Sequence, residues 1–257
     1  MKAILYAGVL AAGVYAVLCT LLYLAQDRLL YLPTREVRLA GVRAIRLQCN
    51  DANLKIWELH PQAPGALIYF GGNAEDVSAD LADFDAAFPD HAVYLVNYRG
   101  YGGSTGRPSE AALVSDAVAT YDRVSEHHPH VTVIGRSLGS GVAIALATRR
   151  PIDRLALVTP YDSIANVAAD HFPWFPVRWL LRDRYDSLRR IGAVRVPVLA
   201  LLAEHDQVVS AARSAALLEA IPAAIRHTLL IGGATHNDIS SSPAYFRSLR
   251  EFVALTE

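Results

Sequence analysis

Val131-Thr-Val-Ile-Gly-Arg-Ser-Leu-Gly-Ser-Gly141 is the stretch on which the rest of the chain turns. Val131 to Ile134 are four apolar or β-branched residues and predict a short buried strand. Gly135-Arg136-Ser137-Leu138-Gly139 follows as a G-x-S-x-G. Ser140 to Thr148 is small and apolar, has no breaker after Gly141, and predicts a helix. Strand, tight turn and helix in this order can lift a serine hydroxyl clear of a sheet on a strained turn. A side chain at 135 or 139 would collide with the neighbouring strand or helix, which accounts for the two glycines. The pattern alone is common. Its flanks make Ser137 a candidate nucleophile, against the plainer reading of an ordinary β–α turn.

Further strand-like runs lie on both sides. Val42 to Cys49 and Leu54 to His60 flank the turn-forming Asn50-Asp51-Ala52-Asn53 and read as a hairpin. Ala66 to Phe70 and Ala92 to Tyr98 precede the central run. Leu155 to Thr159, Val196 to Ala203 and Thr228 to Ile231 follow it. Ala66 to Phe70 is apolar throughout, as a strand buried on both faces should be. Glu110 to His127 carries Leu113, Val114, Ala117, Val118, Tyr121 and Val124 at helical spacing. Ala211 to Ala220 and Pro243 to Leu255 also predict helices. Strands alternating with helices imply a mostly parallel eight-stranded sheet with helices around it. Residues 42–257 then form one α/β domain, a size that 257 residues readily supply.

A serine attacks a carbonyl only when a base removes its proton and a third group orients the base. After such a turn the acid is expected next in the chain and the histidine last. Asp206 stands just past the seventh strand and His236 just past the eighth, at the strand C-termini where open α/β sheets bind ligands. Glu204 and Asp162 are the alternative acids, and His205 and His171 the alternative bases. Asp238 is too near His236 in sequence to orient its ring. His127, His128 and His130 read as a solvated helix end, since no carboxylate or cysteine lies at ligand spacing. An oxyanion would be held by the backbone N–H of Leu138 and by one from the loop Gly71 to Ala74.

Ala3 to Ala25 has no charged residue. At about 1.5 Å per residue this run can cross a hydrocarbon core of roughly 30 Å as a tilted helix. Residues 1–25 are read as a transmembrane anchor and residues 26–41 as a linker, with Pro33 barring a continuous helix. A cleaved signal peptide and a buried core helix are the competing readings. The run exceeds the usual signal core, and Tyr23 stands where a cleavage site after Ala25 needs a small residue. The net charge of −1 gives no electrostatic case for nucleic acid. Cys19 and Cys49 are the two cysteines and suggest no disulfide framework, because Cys19 lies inside the apolar run.

Phe70-Gly-Gly-Asn-Ala-Glu-Asp76, Asn97-Tyr-Arg-Gly-Tyr-Gly-Gly-Ser-Thr-Gly106, Gly135 to Gly139, Pro160-Tyr-Asp-Ser163, Glu204-His-Asp206 and His236-Asn-Asp238 together resemble the α/β-hydrolase superfamily. The likeness runs from about Val42 to Leu255. Within the superfamily the chain is similar to the membrane-anchored "alpha/beta hydrolase domain-containing" serine hydrolases, which include depalmitoylases and lysophospholipid lipases. Gly71 replaces a histidine that such relatives often carry. The resemblance implies Ser137 as nucleophile, Asp206 as acid, His236 as base, and Asn73 or Ala74 with Leu138 as oxyanion donors. The expected activity is hydrolysis of carboxylic esters or thioesters through an acyl-enzyme, with no metal or cofactor. A serine peptidase of the same fold and a non-catalytic binding protein are the alternatives. The insert 163–188 reads as a small cap. Tyr161, Phe172, Trp174 and Trp179 are expected to wall an acyl pocket above Ser137, with a lipid or other small acyl compound as substrate.

Overall fold

The uncharged N-terminal run forms one helix, α1 (Lys2–Leu30), in a computed structural model that describes residues 1–254. It is long and apolar enough to cross a membrane, and its most apolar stretch is not covered by the rest of the chain. The helix continues five residues beyond Ala25, so the expected linker begins as helix. Gln26 explains the difference. Its side-chain oxygen accepts from the Arg182 amide at 2.8 Å and its nitrogen donates to the Tyr23 and Leu180 carbonyls. A polar residue that ends an apolar run in sequence is here buried and bonded on both sides.

The sheet has eight strands: β1 (Ala44–Cys49), β2 (Ala52–Leu59), β3 (Gly65–Phe70), β4 (His91–Val96), β5 (His130–Arg136), β6 (Arg154–Val158), β7 (Val198–His205) and β8 (Arg226–Thr235). Their spatial order is β1-β2-β4-β3-β5-β6-β7-β8. β1 and β2 form an antiparallel hairpin and β2 joins β4 antiparallel, while all later pairs are parallel. Each expected strand is present, with ends displaced by at most four residues.

Successive side chains of a strand point to opposite faces, and β3 shows the consequence. Ile68 and Phe70 pack into one apolar cluster, and Leu67 and Tyr69 into the other. The first face is covered by α3 (Glu110–Ser125), α4 (Leu138–Ala147) and α8 (Ala211–Glu219). The second is covered by α2 (Leu81–Ala87) and α9 (Pro243–Val253). Leu255, expected as the last residue of α9, lies outside the described residues. α2 was not foreseen, because only one turn of periodicity (Leu81, Phe84) marks it.

Between β6 and β7 lies the expected insert, built from α5 (Ile164–His171), the single turn α6 (Val177–Leu180) and α7 (Ser187–Ile191). Ser163 caps α5 by accepting from the Asn166 amide. The insert leans on α1. Tyr15 donates to the Trp174 carbonyl at 2.9 Å, its ring lies parallel to Phe175 at 5.9 Å, and Asp27 pairs with Arg182 at 2.7 Å.

Candidate active site

Strand register brings the chemistry together. His205 and Thr235, the last residues of β7 and β8, are paired, so Asp206 and His236 leave the sheet side by side. On the other side Arg136, the last residue of β5, is paired with Val158 of β6, and Ser137 follows it. His236 bridges the two. Its Nδ1 lies 2.8 Å from an Asp206 carboxylate oxygen and its Nε2 lies 2.9 Å from Ser137 Oγ. A carboxylate on Nδ1 fixes the proton there, which leaves Nε2 to accept from the serine. The second Asp206 oxygen accepts from the amides of Val208 and Val209 at 2.9 and 2.7 Å. The Asp206 carboxylate is therefore held at both oxygens, and His236 is 7% exposed.

Ser137 has φ +49° and ψ −116°, a conformation that costs a non-glycine residue about 1–3 kcal/mol. The surroundings impose it. The Ser137 amide donates to Val158, and its carbonyl accepts from both the amide and the hydroxyl of Ser140. The glycines act as the sequence argued. A Cβ on Gly135 would lie 2.3 Å from the Gly139 carbonyl oxygen, and one on Gly139 would lie 2.0 Å from that of Phe70. Helix and strand therefore touch backbone to backbone at the turn.

Leu138 opens α4, and the first amides of a helix have no carbonyl within the helix to bond. The loop after β3 lies against them, for a Cβ on Gly72 would sit 3.6 Å from Ser137 Cβ. The Gly72 amide is taken by Glu75 at 2.7 Å, and Ala74 is held at φ +61°. The Asn73 side chain faces elsewhere: it donates to the Leu30 carbonyl and accepts from the Leu32 amide and the Tyr101 hydroxyl.

The alternative acids and bases are engaged elsewhere. Glu204 accepts from the Gly233 amide, and Asp162 from Ser163, Asn166 and Arg213. His171 bonds the Val208 carbonyl, and the His205 side chain is largely exposed. Asp238 accepts from the Thr235 amide and so shapes the loop that carries His236. His128 departs from the expected solvated helix end, being 2% exposed with its ring nitrogens against the Tyr94 hydroxyl and the Ala63 carbonyl. Among the described residues no three His, Cys, Asp or Glu side chains gather as a metal site.

The expected aromatic wall is not where the sequence put it. Tyr161 is fully buried and its hydroxyl donates to the Leu138 carbonyl. A Cβ on Gly141 would lie 2.4 Å from that hydroxyl, so Tyr161 supports α4 from within the core. Trp174 and Trp179 are 83% and 88% exposed. Phe172, half exposed, lines a groove between α5, α6 and α1 together with Leu22, Leu30 and Leu180. Aromatic composition marked a surface-seeking segment, and nothing in it distinguished inward from outward rings.

One network escaped the sequence reading. Arg136 donates to Glu75 at 2.9 Å and to the carbonyls of His236 and Asn237 at 3.3 and 3.0 Å. Tyr69 and the Gly72 amide also bond Glu75. Arg136 therefore ties the glycine loop to the histidine loop across Ser137. Burial and the Glu75 carboxylate push the nearby Asp80 carboxyl up to about 8. In sequence the two residues show only as a charge in the second position of G-x-S-x-G and an acid four residues past Gly71, with nothing to pair them.

The profile of the alpha/beta hydrolase family matches residues 63–256. An uncharacterized protein of Mycobacterium tuberculosis is 36% identical over 85% of this chain and 83% of its own length. The alpha/beta hydrolase domain-containing protein aho-3 of Caenorhabditis elegans is 28% identical over 75% of this chain, which spans 58% of that relative. Among solved structures, the Pyrococcus furiosus esterase Pf2001 superposes with a TM-score of 0.72 at 14% identity. That match covers 87% of this chain and 98% of the esterase, a likeness of fold.

Proposed function

The chain belongs to the alpha/beta hydrolase family, and from that premise we propose that it is a membrane-anchored serine hydrolase cleaving carboxylic ester or thioester bonds through an acyl-enzyme. The observation that carries the reading is the continuous relay from Asp206 through His236 to Ser137 Oγ. In the first half-reaction His236 Nε2 takes the hydroxyl proton as Oγ bonds the acyl carbon. The carbonyl electrons move onto oxygen, and the amides of Leu138 and of Asn73 or Ala74 hold that charge. Each such donor is worth about 10²–10³ in rate. The charge returns, the bond to the alcohol or thiol breaks, and the leaving group receives the proton from His236. Water repeats the sequence on the acyl-serine and releases the acid. Asp206 stabilises the imidazolium throughout without taking its proton.

The apolar N-terminal helix and the apolar groove beside it favour lipid-like substrates. The groove between α1 and the insert has about 130 Å³ of free volume and a nearly all-apolar lining. Each CH₂ buried there is worth about 0.8 kcal/mol, close to fourfold in affinity. The full chain in membranes should react with a fluorophosphonate probe at Ser137 and hydrolyse esters with kcat/KM rising beyond acetate. No labelling sinks the serine mechanism and favours a binding protein. Peptides cleaved faster than any ester transfer the reading to a peptidase.

A further inference from the structure

Exposed large apolar side chains cluster in two places, along α1 and at the tip of the insert, and the two clusters are in contact. Trp174 and Trp179 project from the tip, with Phe172 beside them. From Phe172 to Leu181 the segment reads Phe-Pro-Trp-Phe-Pro-Val-Arg-Trp-Leu-Leu, with Arg178 as its single charge.

The height of the contact decides what covers this tip. Asp27 pairs with Arg182 at the base of the insert, and Tyr15 meets Trp174 and Phe175 at its tip. Tyr15 is twelve residues before Asp27, about 18 Å along the helix. Suppose α1 crosses the bilayer and the insert stays in water. Only Ala3 to Val14 would remain to cross, about 18 Å of helix for a core of roughly 30 Å. The helix cannot span unless the insert enters the leaflet beside it.

Most backbone amides of the tip suit that medium. In hydrocarbon every amide must find an internal partner. The amides of Phe172, Phe175, Val177, Trp179, Leu180 and Leu181 donate to carbonyls of this segment or of α5. Pro173 and Pro176 have no amide to leave unpaired, and the Trp174 carbonyl is bonded by Tyr15. Tryptophan favours the membrane interface, and a lone arginine on a long stem reaches back toward the headgroups.

We propose that residues 172–181 are a second membrane contact, a tip of the insert that is immersed in the leaflet holding α1. The inference rests on the anchor half of the proposed function and is independent of the serine chemistry. It makes the domain a body docked onto the bilayer at two points, with the groove lined by Phe172, Leu22 and Leu180 opening into acyl chains.

The chain's three tryptophans make the test direct, because the third, Trp57, is buried in the core. The full chain is reconstituted in phosphatidylcholine vesicles with or without bromine on the acyl chains, and tryptophan emission is read. The expected result is a loss of about half or more of the emission in brominated vesicles, abolished in the Trp174→Phe, Trp179→Phe double variant. An unchanged thermal midpoint shows that the variant is folded. Acrylamide should quench the wild type less in vesicles than it quenches free tryptophan. A chain that floats with the vesicles yet shows no bromine quenching overturns the tip contact and leaves the anchor standing. If those tryptophans are then also shielded from acrylamide, a second copy covers them. A chain that leaves the vesicles on carbonate washing overturns both readings.

Discussion

The strand-end site and the tip of the insert differ in what holds them in place. At the strand ends the sheet fixes where each loop starts. His205 opposite Thr235 leaves almost no freedom in where Asp206 and His236 begin, and Arg136 opposite Val158 does the same for Ser137. The insert leaves β6 and returns to β7 over some forty residues with no register to hold it. Phe172 and Phe175 settle against α1, while Trp174 and Trp179 stay exposed.

The largest expected effect tests the strand-end side. Ser137→Ala should lower kcat on the order of 10⁶, with residual turnover from the oxyanion donors. His236→Ala should be about as severe, and the double variant no worse than either, since the residues act as one unit. Steady-state ester hydrolysis measures this. If Ser137→Ala kept a tenth of the wild-type rate, the constellation at the strand ends would not be the reacting one.

The next effect is on stability. Gly139→Ala places a methyl group 2.0 Å from the Phe70 carbonyl oxygen and 2.7 Å from that of Gly71. Both are backbone atoms of the central sheet or its exit loop, so strand and helix must separate. A loss of about 3 kcal/mol or more is expected in urea unfolding. Gly192→Ala is the control, since a Cβ there meets nothing within 4 Å. Equal effects from the two substitutions would show that the close approach at the turn is not a constraint.

These two tests also mark what was legible in the sequence. Glycine spacing, strand composition and the order serine, acid, histidine each carry a local steric or topological reason, and residues obeying them lay within a few positions of where they were read. The Arg136–Glu75 bridge was not legible, because it joins loops 61 residues apart through side chains that sequence gives no reason to pair. The end of α1 was misread at Gln26 for the same cause. Polarity in sequence predicts exposure, and a polar residue with partners on another element defeats the rule. Asn73 shows a milder form: its motif was recognised, yet its side chain serves the end of α1.

A smaller effect should appear as pH dependence. The Asp80 carboxyl, ordinarily near 3.8, is raised to about 8 by burial first and then by Glu75. Between these values the folded chain holds a proton that the unfolded chain has released. Stability therefore falls as pH rises through that window, by at most about 1.4 kcal/mol per pH unit. Asp80→Asn removes this titration while keeping the neutral shape. Relative to wild type the variant should gain on the order of 1–2 kcal/mol between pH 7 and pH 9 in urea unfolding. A constant difference across that range would place the raised group elsewhere.

The smallest effect belongs to the insert and sharpens the contrast. Trp174 and Trp179 touch little of the folded domain, so their replacement removes few contacts within the chain. In detergent solution Trp174→Ala and Trp179→Ala should each change unfolding free energy by no more than about 0.5 kcal/mol, as exposed substitutions do. Their kcat/KM for a detergent-dispersed acetate ester should stay within about twofold of wild type, for neither ring is part of the relay at Ser137. A buried wall residue would behave otherwise, since removing a tryptophan from a packed site costs about 3–5 kcal/mol. Losses of that size at either position would mean that the rings pack inward in the working protein, and the insert would regain the place above the nucleophile that its composition first suggested.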